Sequence, residues 1–157
     1  MKDSLVYIPE EKLPRVAAVF GSDWNGTLTR TGDKPLISGD LWLCPTDGYA
    51  LSGKYLAGGA NVLSTVYDYY RYAQMLLNGG EVEGKQFLNK ETVASIYTNQ
   101  IAHIGMFTGL GWELNQERYM GKFASGLFGK TGFTGCVVLV GPETGTASTL
   151  LSYFTLP

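Results

Sequence analysis

The sequence predicts an α+β fold, in which helical periodicity in the middle of the chain gives way to strand periodicity near its end. Residues 66–77 and 90–97 carry apolar side chains at helical spacing, and the residues after Gly109 change to short apolar runs separated by glycine turns. The 21 glycines and 10 tyrosines suit turns and half-buried strands better than a helical bundle. We therefore expect an antiparallel sheet built from the last strands, with helices packed against it.

The first third of the chain predicts only small elements. A short helix is expected from Glu10 to Phe20, because apolar residues recur on one side and Pro14 suits the first turns of a helix. From Gly21 to Gly59 the sequence is rich in Gly, Asp, Asn, Thr and Pro, with only short alternating segments. This composition predicts loops and small hairpins.

The clearest helical pattern runs from Val66 to Leu77. Thr65 and Asp68 have the spacing of a capping box, which leaves Asp68 on the polar side, and Gly79 with Gly80 supplies a left-handed stop. The side chains expected on the buried face are Val66, Tyr69, Tyr70, Ala73, Leu76 and Leu77.

A second helix is expected from Lys90 to Tyr97, with Asn89 as its N-cap. Val93, Ile96 and Tyr97 form its expected buried side. Both helices are interpreted as scaffold.

The last third predicts a meander of strands. The run Val137 to Val140 has no polar alternation, so its strand should be covered on both faces. The turn from Gly141 to Gly145 should join it to the final strand as an antiparallel hairpin. The expected strands are Gly109 to Leu114, Gly129 to Phe133, Cys136 to Val140 and Thr146 to Phe154.

Charge and composition argue against several classes of partner. The net charge of −2 and the pI near 5.3 give no electrostatic reason to expect nucleic acid as a partner, because nucleic-acid binding requires a basic surface and none is visible in the sequence. No apolar run reaches membrane-spanning length, and the first residues do not have the pattern of a signal peptide, which leaves the compartment open. Cys44 and Cys136 form no C-x-x-C pair and His103 is the single histidine, so metal binding is not expected.

The sharpest local signal is the segment Gly129 to Gly135, GKTGFTG. A P-loop is one interpretation, but the leading glycine of that motif is replaced by Ala124, and Thr131 runs into a valine-rich strand rather than a helix. The alternative is the Lys-Thr-Gly strand of penicillin-recognising enzymes. The rest of the sequence favours the second interpretation.

Several stretches, in order along the chain, resemble motifs of the β-lactamase-like serine hydrolases, the group of class C β-lactamases, D-Ala-D-Ala carboxypeptidases and esterases. GKTGFTG resembles their GHTGFTG, with Lys130 in place of the common histidine. The others are Met1 to Pro9 (MKDSLVYIP), Gly58 to Tyr70 (GGANVLSTVYDYY), Met75 to Gly80 (MLLNGG), Gly84 to Val93 (GKQFLNKETV), Gly109 to Trp112 (GLGW) and Glu143 to Gly145 (ETG). This resemblance implies one partial β-lactamase/transpeptidase-like domain over residues 1–157, without the N-terminal Ser-x-x-Lys segment and the C-terminal helix.

The resemblance also implies roles for four residues. Lys130 would shape the field at the nucleophile and bind an anionic group of the substrate, and the Thr131 hydroxyl would donate to that group. Gly132 would let the substrate lie close to the strand, and the backbone N–H of Phe133 would be one donor of the oxyanion hole. The substrate would be a small-molecule or peptide acyl compound: a β-lactam, a D-Ala-D-Ala peptide or an ester. The resemblance implies neither a metal nor an organic cofactor.

The nucleophile of that family is absent from these 157 residues, because no serine is followed by lysine at the third position. Three hypotheses follow: a fragment of a serine hydrolase that is inactive alone, a truncated module that binds or regulates without catalysis, and, least favoured, a nucleotide-binding protein. A search of the coding sequence upstream of Met1 for an in-frame Ser-x-x-Lys would separate the first two.

Three further features are interpreted as structural. Tyr97-Thr-Asn99 fits the Tyr-x-Asn pattern of the family, but it lies at a helix end well after the family's position for that motif. His103 is interpreted as a surface loop residue and Trp112 as core or rim.

The resemblance implies, finally, that the last strand would lack a neighbour on its far side. Residues Thr149 to Phe154 would then present a largely apolar edge, and we expect self-association through Leu150 to Phe154.

Overall fold

The computed structural model describes residues 1–18, 20–22, 25–30, 36–38, 41–43, 62–132, 135–152 and 154–155. It has the predicted α+β architecture, with antiparallel sheets and helices. The chain divides into two compact units. The N-terminal unit comprises Met1–Thr65, Phe133–Gly135 and Leu151–Pro157, and the helix–sheet unit comprises Val66–Gly132 and Cys136–Leu150. The prediction of one partial domain over residues 1–157 stays a prediction.

The N-terminal unit contains short strands. A three-stranded sheet has the order β11-β1-β2, and β3 and β4 form a separate antiparallel hairpin. Small hairpins were expected here, and the described strands agree with that; residues 44–61, which include Cys44, lie outside the described residues. The strands are β1 (Phe20–Ser22), β2 (Leu28–Arg30), β3 (Leu36–Ser38), β4 (Leu41–Leu43) and β11 (Phe154–Thr155).

The predicted helix from Glu10 to Phe20 is wrong in type and length. A 3₁₀ turn spans Glu10–Arg15, and the backbone is already extended at Val16, with ψ of 124°. Pro14 lies inside the turn and has no N–H to donate, so it cannot support a continuing α-helix. Phe20 instead begins β1.

Asp3 of the MKD stretch anchors this turn. Its carboxylate accepts hydrogen bonds from the Arg15 guanidinium at 3.0 Å and 3.1 Å and from the Lys12 ammonium at 2.8 Å. The hydrogen bonds from Arg15, with a smaller contribution from the Lys12 hydrogen bond, lower the pKa of Asp3 to about 2. No local pattern in the sequence indicates this structural role of Asp3.

The helix–sheet unit is built on a four-stranded antiparallel sheet of order β10-β9-β8-β7, which is the predicted meander. Its first strand is shorter than the expected Gly109 to Leu114: only Glu113–Leu114 pair, because the N–H of Gly109 donates to the Trp112 carbonyl in a turn. Helix α1 packs on β9 and β10. Two-residue strands β5 and β6 form a small hairpin after α1. The elements are α1 (Val66–Leu77), β5 (Glu81–Val82), β6 (Lys85–Gln86), α2 (Lys90–Tyr97), β7 (Glu113–Leu114), α3 (Glu117–Met120), β8 (Phe128–Thr131), β9 (Val137–Gly141) and β10 (Thr146–Leu150).

Both principal helices have the predicted bounds, and their ends show why. The N–H of Gly80 donates to the Met75 carbonyl at 2.8 Å, and Gly79 and Gly80 both have positive φ, as a left-handed stop requires. At α2, the Asn89 Oδ1 accepts a hydrogen bond from the Thr92 N–H at 2.7 Å, which confirms the predicted N-cap.

The buried face of α1 is only partly as predicted. Ala73 and Leu76 are buried as expected, but Val66 and Tyr70 are exposed, and Asp68, expected on the polar side, is only 4% exposed. Helical spacing determines which residues share a side, but it does not determine how far the sheet extends beneath the helix. The N-terminal turn of α1 therefore could not be assigned correctly from the pattern.

One hydrophobic core holds this unit together. Phe128 is 1% exposed, stacks on Tyr97 at 5.2 Å between ring centroids, and meets Trp112 edge to face at 5.1 Å. Trp112 is thus a core residue. The buried members are Ala73, Met75, Leu76, Val93, Trp112, Leu114, Phe128, Val138 and Val140.

Strand β9 is less covered than predicted. Val138 and Val140 are buried, whereas Val137 and Leu139 on the opposite face are half-buried. The apolar run therefore has one face in the core and one face that is only partly covered, because a continuous apolar run does not reveal what lies on either side.

The predicted final strand is two strands. Strand β10 ends at Leu150, and Phe154 belongs to β11, which pairs in parallel with β1 through Phe20↔Phe154. The expected edge through Leu150 to Phe154 is therefore corrected: within the described residues, β10 alone forms the outer edge at this end of the four-stranded sheet, and β7 forms the opposite edge. The sequence could not show this, since β11 depends on a strand more than a hundred residues earlier in the chain.

Candidate functional site

The Lys-Thr-Gly segment lies at the end of β8, next to a point where the sheet loses a strand. Strand β7 pairs with β8 only at Glu113↔Gly129 and Leu114↔Phe128. Strand β9 continues along the other side of β8 as far as Thr131↔Val137. Among the residues that the structure describes, Lys130 and Thr131 therefore have a strand neighbour on one side only.

The register determines what this open side presents. The N–H of Gly132 donates to the Cys136 carbonyl at 2.7 Å, so Gly132 faces β9. Successive residues of an antiparallel strand direct their backbone groups to opposite sides, so the N–H and C=O of Thr131 point away from β9. The last residue of β8 thus offers backbone hydrogen-bonding groups at the open edge.

Lys130 is accessible, with a side chain that is 54% exposed. Its Nζ donates to Glu113 Oε1 at 3.2 Å, on the neighbouring strand. Because side chains alternate along a strand, Lys130 and Thr131 leave β8 on opposite faces. Lys130 is not packed beneath α1, and Thr131, which is half-buried, does not begin a helix.

Two other predicted residues have different outcomes. At Gly132 an added Cβ would lie 3.3 Å from the Cys136 Cβ, a tight contact, and the Gly132 N–H is already bonded to β9. Phe133, the expected oxyanion donor, lies outside the described residues. The structure brings Lys130, Thr131 and Gly132 together on one strand end, and their catalytic and substrate-binding roles stay predictions.

Sequence reasoning missed the charged cluster beside Lys130. Glu113 also lies 3.9 Å from Arg118, on α3, through its second carboxylate oxygen. The Tyr119 hydroxyl is buried and makes no hydrogen bond of ordinary geometry to any residue that the structure describes. Its burial, with a smaller contribution from the nearby Glu113 carboxylate, raises the pKa of Tyr119 far above its usual value. The only signal in the sequence was a carboxylate directly after GLGW, whose partner depends on the β7–β8 register.

The P-loop interpretation fails on this geometry. A P-loop needs a helix directly after the Lys-Thr pair, so that the helix N-terminus meets the phosphates. Here Thr131 pairs with Val137, and Gly132 bonds to Cys136. The chain therefore turns straight back into β9, with no room for a helix.

The residues interpreted as structural behave accordingly. Asn99 fixes the loop after α2: its Nδ2 donates to the Met106 carbonyl at 2.9 Å, and its Oδ1 accepts from the N–H groups of Ile101 and Thr108. His103 is exposed in a short 3₁₀ turn. Both observations agree with the predictions.

No described helix is long and apolar enough to span a bilayer. Within the same parts of the chain, no three side chains of the His, Cys, Asp or Glu type are grouped so that they could hold a metal ion.

Comparison with known proteins agrees with the motifs on β8 and the antiparallel sheet. A model of the beta-lactamase family matches residues 1–154. The chain belongs to the beta-lactamase family. It is a member of the serine β-lactamase and penicillin-binding-protein-like family.

Individual relatives of this beta-lactamase family member support the assignment. Two proteins named "Putative D-alanyl-D-alanine carboxypeptidase", from Escherichia coli K12 and O157:H7, are each 33% identical over 109 residues, which is 66% of this chain. The chain spans 24% of the length of these curated relatives. The crystal structure of a penicillin-binding protein homologue from Caulobacter crescentus covers 98% of the chain with a TM-score of 0.63 at 17% identity, and 43% of that structure is matched. The structural likeness concerns the fold alone.

Proposed function

We propose that this chain supplies the Lys-Thr-Gly strand of an acyl-transfer site, whose substrate is a β-lactam, a D-Ala-D-Ala peptide or an ester. The observation that supports this most directly is the open edge of β8, where an exposed Lys130 stands beside the outward-facing backbone of Thr131. An extended substrate can add to such an edge through its own backbone, while a cation binds an anionic group.

Each group has a defined part in this proposal. Lys130 binds or orients the substrate and contributes positive charge near the reacting carbonyl, and Thr131, whose side chain leaves the other face of β8, hydrogen-bonds the substrate through its outward-facing backbone N–H and C=O. Phe133 contributes a backbone N–H to the oxyanion hole. The remaining requirement is a nucleophilic serine activated by lysine, and none of the nine serines of these 157 residues has the Ser-x-x-Lys spacing.

We therefore expect that the 157-residue chain forms no covalent adduct with a penicillin or a fluorophosphonate. The measurement is intact-protein mass spectrometry after incubation with excess reagent. A serine β-lactamase treated in parallel provides the positive control. A stable adduct at one molar equivalent on any serine of this chain would show that the nucleophile is present after all.

The substrate-binding half of the proposal has its own test. Backbone amide shifts of Lys130, Thr131 and Gly132 should respond to an acyl-D-Ala-D-Ala peptide, and Lys130→Ala should weaken that response. If the chain binds the peptide but a longer natural form lacks any in-frame Ser-x-x-Lys, a non-catalytic binding module becomes the better description.

We also propose that the chain self-associates through β10. In the described residues, β10 pairs with β9 only, and Leu150 at its end is 60% exposed. An unpaired strand edge offers a row of N–H and C=O groups to a second copy.

Light scattering at micromolar concentration should then give a mass above that of the monomer, and Leu150→Lys should reduce it, because a charge on an edge strand opposes pairing. Leu110→Lys is the matched control, since Leu110 is similarly exposed but lies outside any strand. A clean monomer whose residues 146–150 exchange amide protons freely would contradict the proposal.

A further inference from the structure

The charge offered by Lys130 is already largely balanced within the chain. Glu113 Oε1 lies 3.2 Å from Lys130 Nζ, and the Glu113 side chain is 24% exposed, less than half the exposed fraction of Lys130. Arg118, the second cation near Glu113, is 3.9 Å away and 75% exposed. Glu113 is therefore the least solvent-exposed of the three charged side chains. Of the two cations near it, Lys130 is the closer.

A substrate carboxylate that binds Lys130 must share the ammonium with Glu113. Two carboxylates on one ammonium repel each other, and this repulsion is weakened, but not removed, by solvent at a half-exposed lysine. An uncharged ester or amide at the same position meets no such repulsion. It still accepts a hydrogen bond from Lys130, which has three donors and uses one for Glu113.

Glu113 also limits the directions that Lys130 can take. A lysine on a flexible four-carbon stem loses side-chain entropy when it is fixed, and an ion pair across two strands supplies part of that ordering before the substrate arrives. The short pairing of β7 with β8 places the carboxylate at the last point where the two strands meet. Glu113 therefore contacts the open edge of β8 through Lys130.

From this arrangement we infer that Glu113 is a specificity-determining residue, which biases the Lys130 edge against ligands with a free carboxylate and in favour of uncharged esters and amides. This inference rests on the proposed binding of acyl substrates at the open edge of β8. It narrows the substrate class within that proposal, because the site would bind esters and internal amides in preference to ligands that end in a carboxylate.

The test compares two ligands that differ only in that charge, N-acetyl-D-alanyl-D-alanine and its methyl ester. Affinities are measured from the amide shifts of Lys130, Thr131 and Gly132 in the full chain at low ionic strength. In the Glu113→Gln variant, we expect the free acid to bind about fivefold more tightly than to the wild type, with the methyl ester changed by less than about twofold. The gain should fall as salt is added.

Two further variants separate charge from structure. Glu113→Asp keeps the carboxylate and should keep the wild-type preference between the two ligands. Glu117→Gln removes the same charge from an exposed position on α3 that makes no described contact with Lys130, and it should leave both affinities unchanged within about twofold.

The outcomes distinguish the two proposals. If both ligands shift the Lys130 to Gly132 amides but Glu113→Gln leaves their affinity ratio unchanged, or weakens the free acid, the role of Glu113 is wrong while the binding edge stands. If neither ligand shifts these amides in any variant, the binding edge itself is wrong, and the inference about Glu113 falls with it.

Discussion

Replacement of Phe128 by alanine is expected to lower the free energy of unfolding by about 3 to 5 kcal/mol, the range for a large aromatic side chain removed from a packed core. Phe128 is 1% exposed and contacts two aromatic rings, Tyr97 and Trp112, in the centre of the helix–sheet unit. The cavity cannot close easily, because Val140 opposite Phe128 is fixed by strand pairing. Urea unfolding at one fixed protein concentration measures the change.

The control for Phe128 is Leu110→Ala. Leu110 is 55% exposed, so its truncation should change the free energy of unfolding by less than about 0.5 kcal/mol. A Phe128→Ala variant that lost no more stability than Leu110→Ala would mean that the aromatic cluster does not hold the unit together. Loss of stability should be accompanied by loss of the Lys130 edge, since Phe128 and Lys130 belong to the same four-residue strand.

The second large effect is expected at Gly109, the first glycine of GLGW. A Cβ built there would lie 1.8 Å from the Ile96 carbonyl oxygen and 3.3 Å from the Tyr97 Cα. Both are backbone atoms at the end of α2, so the clash cannot be relieved by a side-chain rotation. Gly109→Ala should therefore destabilise the chain by about 3 kcal/mol, the upper part of the range for overpacking.

Gly105→Ala separates this clash from backbone strain. Gly105 has φ of 74°, which disfavours alanine, but nothing lies within 4 Å of an added Cβ. Its substitution should destabilise by about 1 kcal/mol, the ordinary penalty for a side chain in the left-handed region. Urea unfolding of both variants gives the comparison, and equal losses would contradict a steric role for Gly109.

Within the sequence, local signals were sufficient for the helices. Asn89 caps α2 and Gly80 stops α1, because capping and left-handed turns are decided by a few neighbouring residues. Local signals were misleading at Glu10–Arg15. The apolar spacing there predicts a helix, but Pro14 has no N–H to donate and the chain forms only a 3₁₀ turn. The motifs in order along the chain were also enough for the family, since they are properties of residue order alone.

The candidate site also combines residues that a local motif identifies with a residue that only strand pairing identifies. Its lysine and threonine were identified from GKTG, but the carboxylate that pairs with Lys130 was not, because Glu113 reaches it only through the register of β7 on β8. The separation of the last apolar run into β10 and β11 likewise depends on β1, far away in the sequence. Periodicity thus determined the elements and motifs of this protein, whereas strand pairing between distant segments decided which charges meet and which edge of the sheet stays open. The physical reason is that hydrogen bonds between strands join residues whose separation in sequence leaves no local pattern.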